Sequence, residues 1–281
     1  MKPRFLITLA LLVWPLTIVL APVIGAQQSS QTVIRMRGSN VMANFCDGIA
    51  RAFNEKQAEI RVVVSGGGTD AGFEALFEKS AQVVMATREI TDKERQAAAV
   101  SSVSPERMLV GSQAIAVITN PVNPITELTL EQVRMIFTGE ITNWRDVGGP
   151  DEQIQVVTSP QISGTAQFLR GLLLEQGYFA SDAHARDYYI DIIKEVAAKK
   201  PLAIGYAGLL DAERGATKGM VKLLWLKTDP MAKAVYPSIQ TMKDGTYPVV
   251  QPFYLYWDSN VKRQDVQTFL EFFKTRIEGS R

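Results

Sequence analysis

The chain of 281 residues holds one cysteine and one histidine. Cys46 alone excludes an intramolecular disulfide and a cysteine-rich zinc site. His184 alone excludes a zinc centre with several histidine ligands and leaves little room for a Ser-His-Asp triad. No obvious metal-ligand cluster and no nucleophile-elbow motif is present, so the reading expects no metal, no cofactor and no catalytic residue. Charge of one sign is also lacking, with 30 Lys and Arg against 29 Asp and Glu. A chain without a net field offers nucleic acid or an anionic membrane nothing to be drawn to, so a charged ligand must be caught locally. Internal repeats and low-complexity tracts are absent. What is present is globular in kind: 46% hydrophobic and 21% charged residues, long enough for about two domains of ~150 residues each.

The first segment reads as an address. Lys2 and Arg4 form a short positive start, Phe5 to Ala26 carries no charge, and Gly25-Ala26 precedes the polar run Gln27-Gln28-Ser29-Ser30. That is the pattern of a secretory signal over residues 1–26, with cleavage after Ala26 and a periplasmic or extracytoplasmic mature protein. The other reading is a retained anchor, since the run is long enough to span a bilayer of ~20 residues. Pro15, Pro22 and the small-residue exit favour cleavage.

From residue 32 onward strand and helix patterns alternate. Val33–Met36, Ile60–Val64, Gln82–Ala86, Gln113–Thr119, Ile154–Thr158, Leu202–Tyr206, Val221–Leu226 and Pro252–Trp257 read as strands. Met42, Phe45, Ile49 and Phe53 recur at helical steps, as do Val133, Ile136 and Phe137, and Val266, Phe269, Leu270 and Phe273. Thr91–Glu94 and Thr129–Gln132 are capping boxes. The alternation predicts an α/β protein with parallel sheets covered by helices. Trp144 is expected as a core anchor, Cys46 as a buried small hydrophobe, and His184 as exposed.

Three helices open in the same way. Gly38-Ser39-Asn40, the run Ser65–Gly72 and Ser163-Gly164-Thr165 each carry small and hydroxyl residues from a strand into a helix N-terminus. Such a start exposes free backbone N–H groups and partial positive charge, and a tetrahedral oxyanion is its natural guest. Ser, Thr, Asp and Asn also cap helices that bind nothing. The glycine run lacks the Lys-Ser or Lys-Thr of a nucleotide P-loop, and it lacks the dinucleotide fingerprint.

These segments carry a resemblance. GSNVMANFCDGIARAF (38–53), SGGGTDAGFEAL (65–76), IFTGEITNW (136–144), SGTAQFLR (163–170) and YPVVQPFYLYW (247–257) are similar to the phosphate-binding proteins, the extracytoplasmic receptors of phosphate ABC importers. The resemblance covers nearly the whole mature chain, and residues 136–144 are its most specific piece. It implies a two-lobed periplasmic-binding-protein type II fold, each lobe a mostly parallel sheet flanked by helices. On that pattern residues 27–114 and 221–281 form lobe 1, and residues 115–220 form lobe 2.

The resemblance also assigns ligand-binding roles. Ser39, Asn40 and Val41 stand in the first anion loop, and Thr69 stands where the family offers a serine hydroxyl. Thr87 and Arg88 match a Ser-Arg pair whose guanidinium faces the oxyanion. Ser163, Gly164 and Thr165 match the clamp of lobe 2. Two family arginines are missing, with Ser159 and Gln251 in their places, and Pro160 follows Ser159. The function implied is a monomeric, non-catalytic receptor that takes phosphate or a similar oxyanion to an ABC permease. The alternatives are a receptor for a different oxyanion and a non-transport sensor or accessory protein of the envelope with the same fold. An envelope phosphatase is the weakest reading.

Overall fold

The computed structural model describes residues 31–175, 177–199 and 202–279. The predicted signal, residues 1–26, lies outside them. Among the described residues no helix is long and apolar enough to cross a membrane.

The chain begins with β1 (Thr32–Gly38), α1 (Asn40–Asn54), β2 (Ile60–Ser65), α2 (Thr69–Phe77), β3 (Val83–Ala86) and α3 (Asp92–Val100). A long strand, β4 (Pro105–Thr119), leads to β5 (Glu127–Thr129), α4 (Leu130–Thr138), a 3-10 turn at Trp144–Val147, and β6 (Gln155–Thr158). There follow α5 (Gly164–Leu172), β7 (His184–Ala185), α6 (Tyr189–Ala198), β8 (Ala203–Gly208) and α7 (Leu209–Thr217). The chain closes with β9 (Lys222–Leu223), β10 (Trp225–Lys227), α8 (Ile239–Lys243), β11 (Val250–Asp258) and α9 (Gln264–Glu278).

Period-two patterning builds β1: Ile34, Met36 and Gly38 are buried while Arg35 and Arg37 face out. In α1 the buried stripe is Met42, Cys46, Ala50 and Phe53. The expected stripe through Phe45 and Ile49 is therefore rotated toward smaller residues. Phe45 stays half exposed, its ring edge-on to Phe273 of α9. Burial pushes the Cys46 thiol up to about 12, which leaves it inert.

The strands run in the order β2-β1-β3-β11-β4-β8-β6-β7, with β9 alongside β4. β1 pairs in parallel with β2 and β3, and β6 with β7 and β8. β11 is antiparallel to β3 and β4, and β4 is antiparallel to β8 and β9. Each lobe is thus mostly parallel, as expected, with one strand set against the rest: β11 in the first lobe and β4 in the second. The reason is that β4 and β11 pass between two hydrophobic cores and lie side by side in opposite senses.

One core, with Met36, Phe53, Leu255 and Phe269, sits under β1 and α9, and a smaller one around Phe73 and Tyr256 covers the other face of the same lobe. The second lobe is built on Val117, Phe137, Trp144, Ile192 and Tyr206. Its core also contains Val221, Leu223, Leu224, Leu226, Tyr247 and Val249. This corrects the boundary expected at residue 221. β9 pairs with the second half of β4, Ile118 opposite Leu223, so this segment stays with the second lobe. The chain returns to the first lobe along β11. Gln113 and Gln251 face each other in register where the two strands pass between the cores.

Candidate functional site

The strand ends and helix starts of both lobes meet between them. Gly38 ends β1 at φ +150°, and a Cβ there would run into the backbone of Met85 on β3. That close approach brings Ser39 beside the end of β3, where its N–H donates to the Met85 carbonyl at 2.8 Å. Ser39 is buried. Asn40, the first residue of α1, is exposed, and its Oδ1 accepts from the Gly67 N–H at 2.9 Å, tying the glycine loop to the first helix. Val41 presents an exposed side chain and can offer a ligand only its backbone.

Thr69 opens α2 and Thr87 follows β3. Both are fully buried, their hydroxyls 3.4 Å apart, and the Thr87 N–H donates to Thr69 Oγ1 at 3.3 Å. Gly164, the first residue of α5, packs on this pair from the second lobe. A Cβ on Gly164 would overlap Thr87 Oγ1 and would lie 2.8 Å from Thr69 Oγ1. The structure thus brings Thr69, Thr87 and Gly164 into one cluster, with Ser39 next to it through β3.

The helix starts differ in one respect. α1 and α2 have no side-chain cap, so their first-turn N–H groups remain for another partner. α5 is capped: Ser163 Oγ accepts from the Ala166 N–H at 3.1 Å. Ser163 therefore behaves as an ordinary N-cap.

Behind the clamp lies a neutral hydrogen-bonded network. Ser159 Oγ lies 2.7 Å from Ser163 Oγ and 2.5 Å from the Tyr206 hydroxyl, which also accepts from the Ser159 N–H at 3.0 Å. Thr165 Oγ1 lies 2.8 Å from the Tyr189 hydroxyl and donates to Gln251 Oε1 at 3.3 Å. Gln251 Oε1 also accepts from Gln113 Nε2 at 2.9 Å, and Gln251 Nε2 donates to the Gly164 carbonyl at 3.3 Å. Burial pushes both tyrosine phenols up, so they stay neutral. Positions 159 and 251, where the resemblance expects arginines, are thus filled by satisfied neutral groups.

Arg88 stands at the edge of this cluster, but its donors are engaged. Nε donates to Gln167 Oε1 at 2.5 Å, Nη1 to the Glu89 carbonyl and Glu94 Oε2, both at 2.8 Å, and Nη2 to Glu94 Oε1 and to Asp70. The guanidinium expected to face the ligand is held here by groups of the protein itself. The chain offers Arg88 two carboxylates of its own lobe, and a bidentate pairing with Glu94 is among the strongest contacts open to it. Burial works against the charge of Arg88, but the bonds and charges of Glu94 and then Asp70 outweigh it and raise its pKa. Glu94 is likewise opposed by burial, yet the bonds from Arg88 and from Thr91 hold it below the usual carboxylate range.

No signal in the sequence marks Gln167. It lies one turn into α5, where a polar residue on a helix draws no notice. It reaches across to the first lobe, where its Nε2 donates to Asp70 Oδ2 at 2.6 Å. Asp70, expected as a cap or turn residue, is instead the partner of Arg88 and Gln167. Outside this contact an open groove of about 790 Å³ runs between the lobes, lined among others by Phe73, Phe168 and Tyr254. His184 pairs with Glu195 at 2.7 Å on the far side of the second lobe and takes no part in the site.

The Glu94 pairing predicts an acid-linked loss of stability. A carboxylate with a folded-state pKa below its unfolded value contributes stability above the ordinary range and loses it as pH falls through the folded value. Thermal melts from neutral pH down to about pH 3 will therefore show a smaller acid-induced drop in Glu94→Gln than in the parent chain. Equal drops would remove Glu94 from the account.

Comparison with known proteins places the chain. The PBP superfamily domain matches residues 25–276. The phosphate-binding protein PstS of Borreliella burgdorferi is 25% identical over 87% of this chain and 85% of its own. The phosphate-binding protein PstS of Staphylococcus haemolyticus is 27% identical over 82% and 73%. An ABC-type phosphate transport receptor from Vibrio cholerae superposes with a TM-score of 0.74 at 26% identity, covering 86% of this chain and 94% of that one.

Proposed function

The chain belongs to the PBP superfamily, and from that premise we propose that it is a non-catalytic, extracytoplasmic solute-binding protein. It captures an inorganic oxyanion, phosphate first, between its two lobes as a monomer and hands it to an ABC permease. The observation that carries this reading is the meeting of two uncapped helix starts, α1 and α2, with the buried hydroxyls of Thr69 and Thr87 and the start of α5 from the other lobe. Each helix start contributes about half a positive charge. Ser39, Asn40, Val41, Thr69, Thr87 and Thr165 supply backbone and hydroxyl donors, and Gly164 allows close approach. The names of the relatives in Borreliella, Staphylococcus and Vibrio support phosphate as the first ligand to try.

The neutral groups at Ser159 and Gln251 favour a second reading, a receptor for another oxyanion. Calorimetric titration with phosphate, sulfate, arsenate and molybdate separates the two. Phosphate is expected to bind with one site per chain and the tightest affinity of the four. Binding of none would leave an envelope accessory role with the same fold. The native protein is expected to begin near Gln27, and its mass will tell.

A further inference from the structure

We propose that Arg37, and not Arg88, supplies the cationic contact to the bound oxyanion. The inference rests on the oxyanion reading above and concerns which side chain carries the charge. Arg88 with Asp70 and Glu94 sums to one negative charge, and every donor of its guanidinium is engaged within the protein. Positions 159 and 251 hold a serine and a glutamine. The cluster needs a cation from elsewhere if it is to hold an anion against that carboxylate surplus.

Arg37 is placed to be that cation. It is the last residue of β1 before Gly38-Ser39, on the exposed face of the strand. Its guanidinium reaches back over the glycine loop: a side chain started at Gly67 would lie 3.6 Å from its Nε and 3.7 Å from its Nη2. Gly67 is the residue whose N–H binds Asn40, so Arg37 sits where the first and second helix starts are tied together. The next residue, Gly68, faces the Ile162 carbonyl of the second lobe, with 3.6 Å between that oxygen and the place its Cβ would take. Arg37 is thus at the lip of the cleft. Among the described residues its guanidinium is engaged in no ion pair or hydrogen bond, so no carboxylate neutralises it. An exposed cation at a cleft mouth also speeds the arrival of an anion.

Arg35 is the internal control. It lies two residues earlier on the same exposed face, about 7 Å back along the strand, and its backbone, not its charge, ties it to Gln82. Phosphate titrations of the full mature chain, Arg37→Gln, Arg37→Lys and Arg35→Gln at low and moderate salt decide the matter. Arg37→Gln is expected to lose about tenfold or more in affinity, the range of one charge-assisted contact, and to show a flatter salt dependence. Arg37→Lys should recover part of the affinity and the salt dependence, and Arg35→Gln should stay within about twofold. The proposal falls if Arg37→Gln binds as the parent does, or if Arg35→Gln loses as much, since the effect would then be a general field. A parent chain that binds no phosphate overturns the oxyanion reading itself, and this inference with it.

Discussion

Gly164→Val will cost the protein its ligand affinity while leaving each lobe folded. Gly164 is one of the points where the second lobe meets the first, and its hydrogen faces the hydroxyls of Thr69 and Thr87. A Cβ at this position overlaps Thr87 Oγ1 and crowds Thr69 Oγ1 at 2.8 Å, with Thr87 Cβ 3.5 Å away. Neither threonine can swing into solvent, because both are fully buried. The added methyls of valine therefore hold the lobes apart. Overpacking of this kind costs about 1–3 kcal/mol, which translates to roughly ten- to hundredfold in affinity when it falls on the closed state alone. The two lobes keep separate cores, so the melting temperature should change little. Titration with phosphate and small-angle scattering test this together: weaker binding should come with a larger radius of gyration. Affinity equal to the parent would show that closure at Gly164 does not matter to capture.

Trp144→Ala will be the most destabilising substitution in the second lobe. Trp144 is fully buried in the 3-10 turn after α4, packed in the core with Phe137 and Tyr206, and its Nε1 donates to the Leu202 carbonyl at 3.1 Å. Truncation removes the aromatic volume and one of two hydrogen bonds to the Leu202 carbonyl, which keeps the Gln155 N–H at 2.9 Å. Losses of this type run to about 3–5 kcal/mol. For a chain of this size that corresponds to a fall of roughly 10 °C in melting temperature. Differential scanning calorimetry reads it directly, and a shift of only a degree or two would mean the core closes over the gap. The prediction also assigns a role to the most specific stretch of the resemblance, residues 136–144. Ile136, Phe137 and Trp144 are core, Gly139 ends α4 with a left-handed turn at φ +82°, and Asn143 caps the 3-10 turn. The stretch builds the wall of the second lobe.

Much of this molecule was legible in one dimension because the signals are local. The capping boxes at Thr91 and Thr129 form as their spacing requires, since cap and third residue meet within a single turn. The burial of Trp144 and of Cys46 follows from hydrophobic position in a short repeat, and the α/β class from the alternation of two periods. The three small-residue loops were recognisable as helix starts for the same reason. What remained hidden depends on contacts across long stretches of chain. The return to the first lobe at β11 instead of residue 221 was decided by the pairing of Leu223 with Ile118, which no local pattern encodes. The one opposed strand in each lobe arises because β4 and β11 must both pass between the cores. Arg88 could be placed near the site from sequence, but its capture by Asp70, Glu94 and Gln167 joins residues up to 97 positions apart. Arg37 carries no local signal in the sequence, and only the fold lays it over Gly67. Sequence determined which pieces the protein is made of, because helices, caps and strands are set within a few residues; tertiary structure decided which charges remain free to meet a ligand, because pairing is a matter of distance in space.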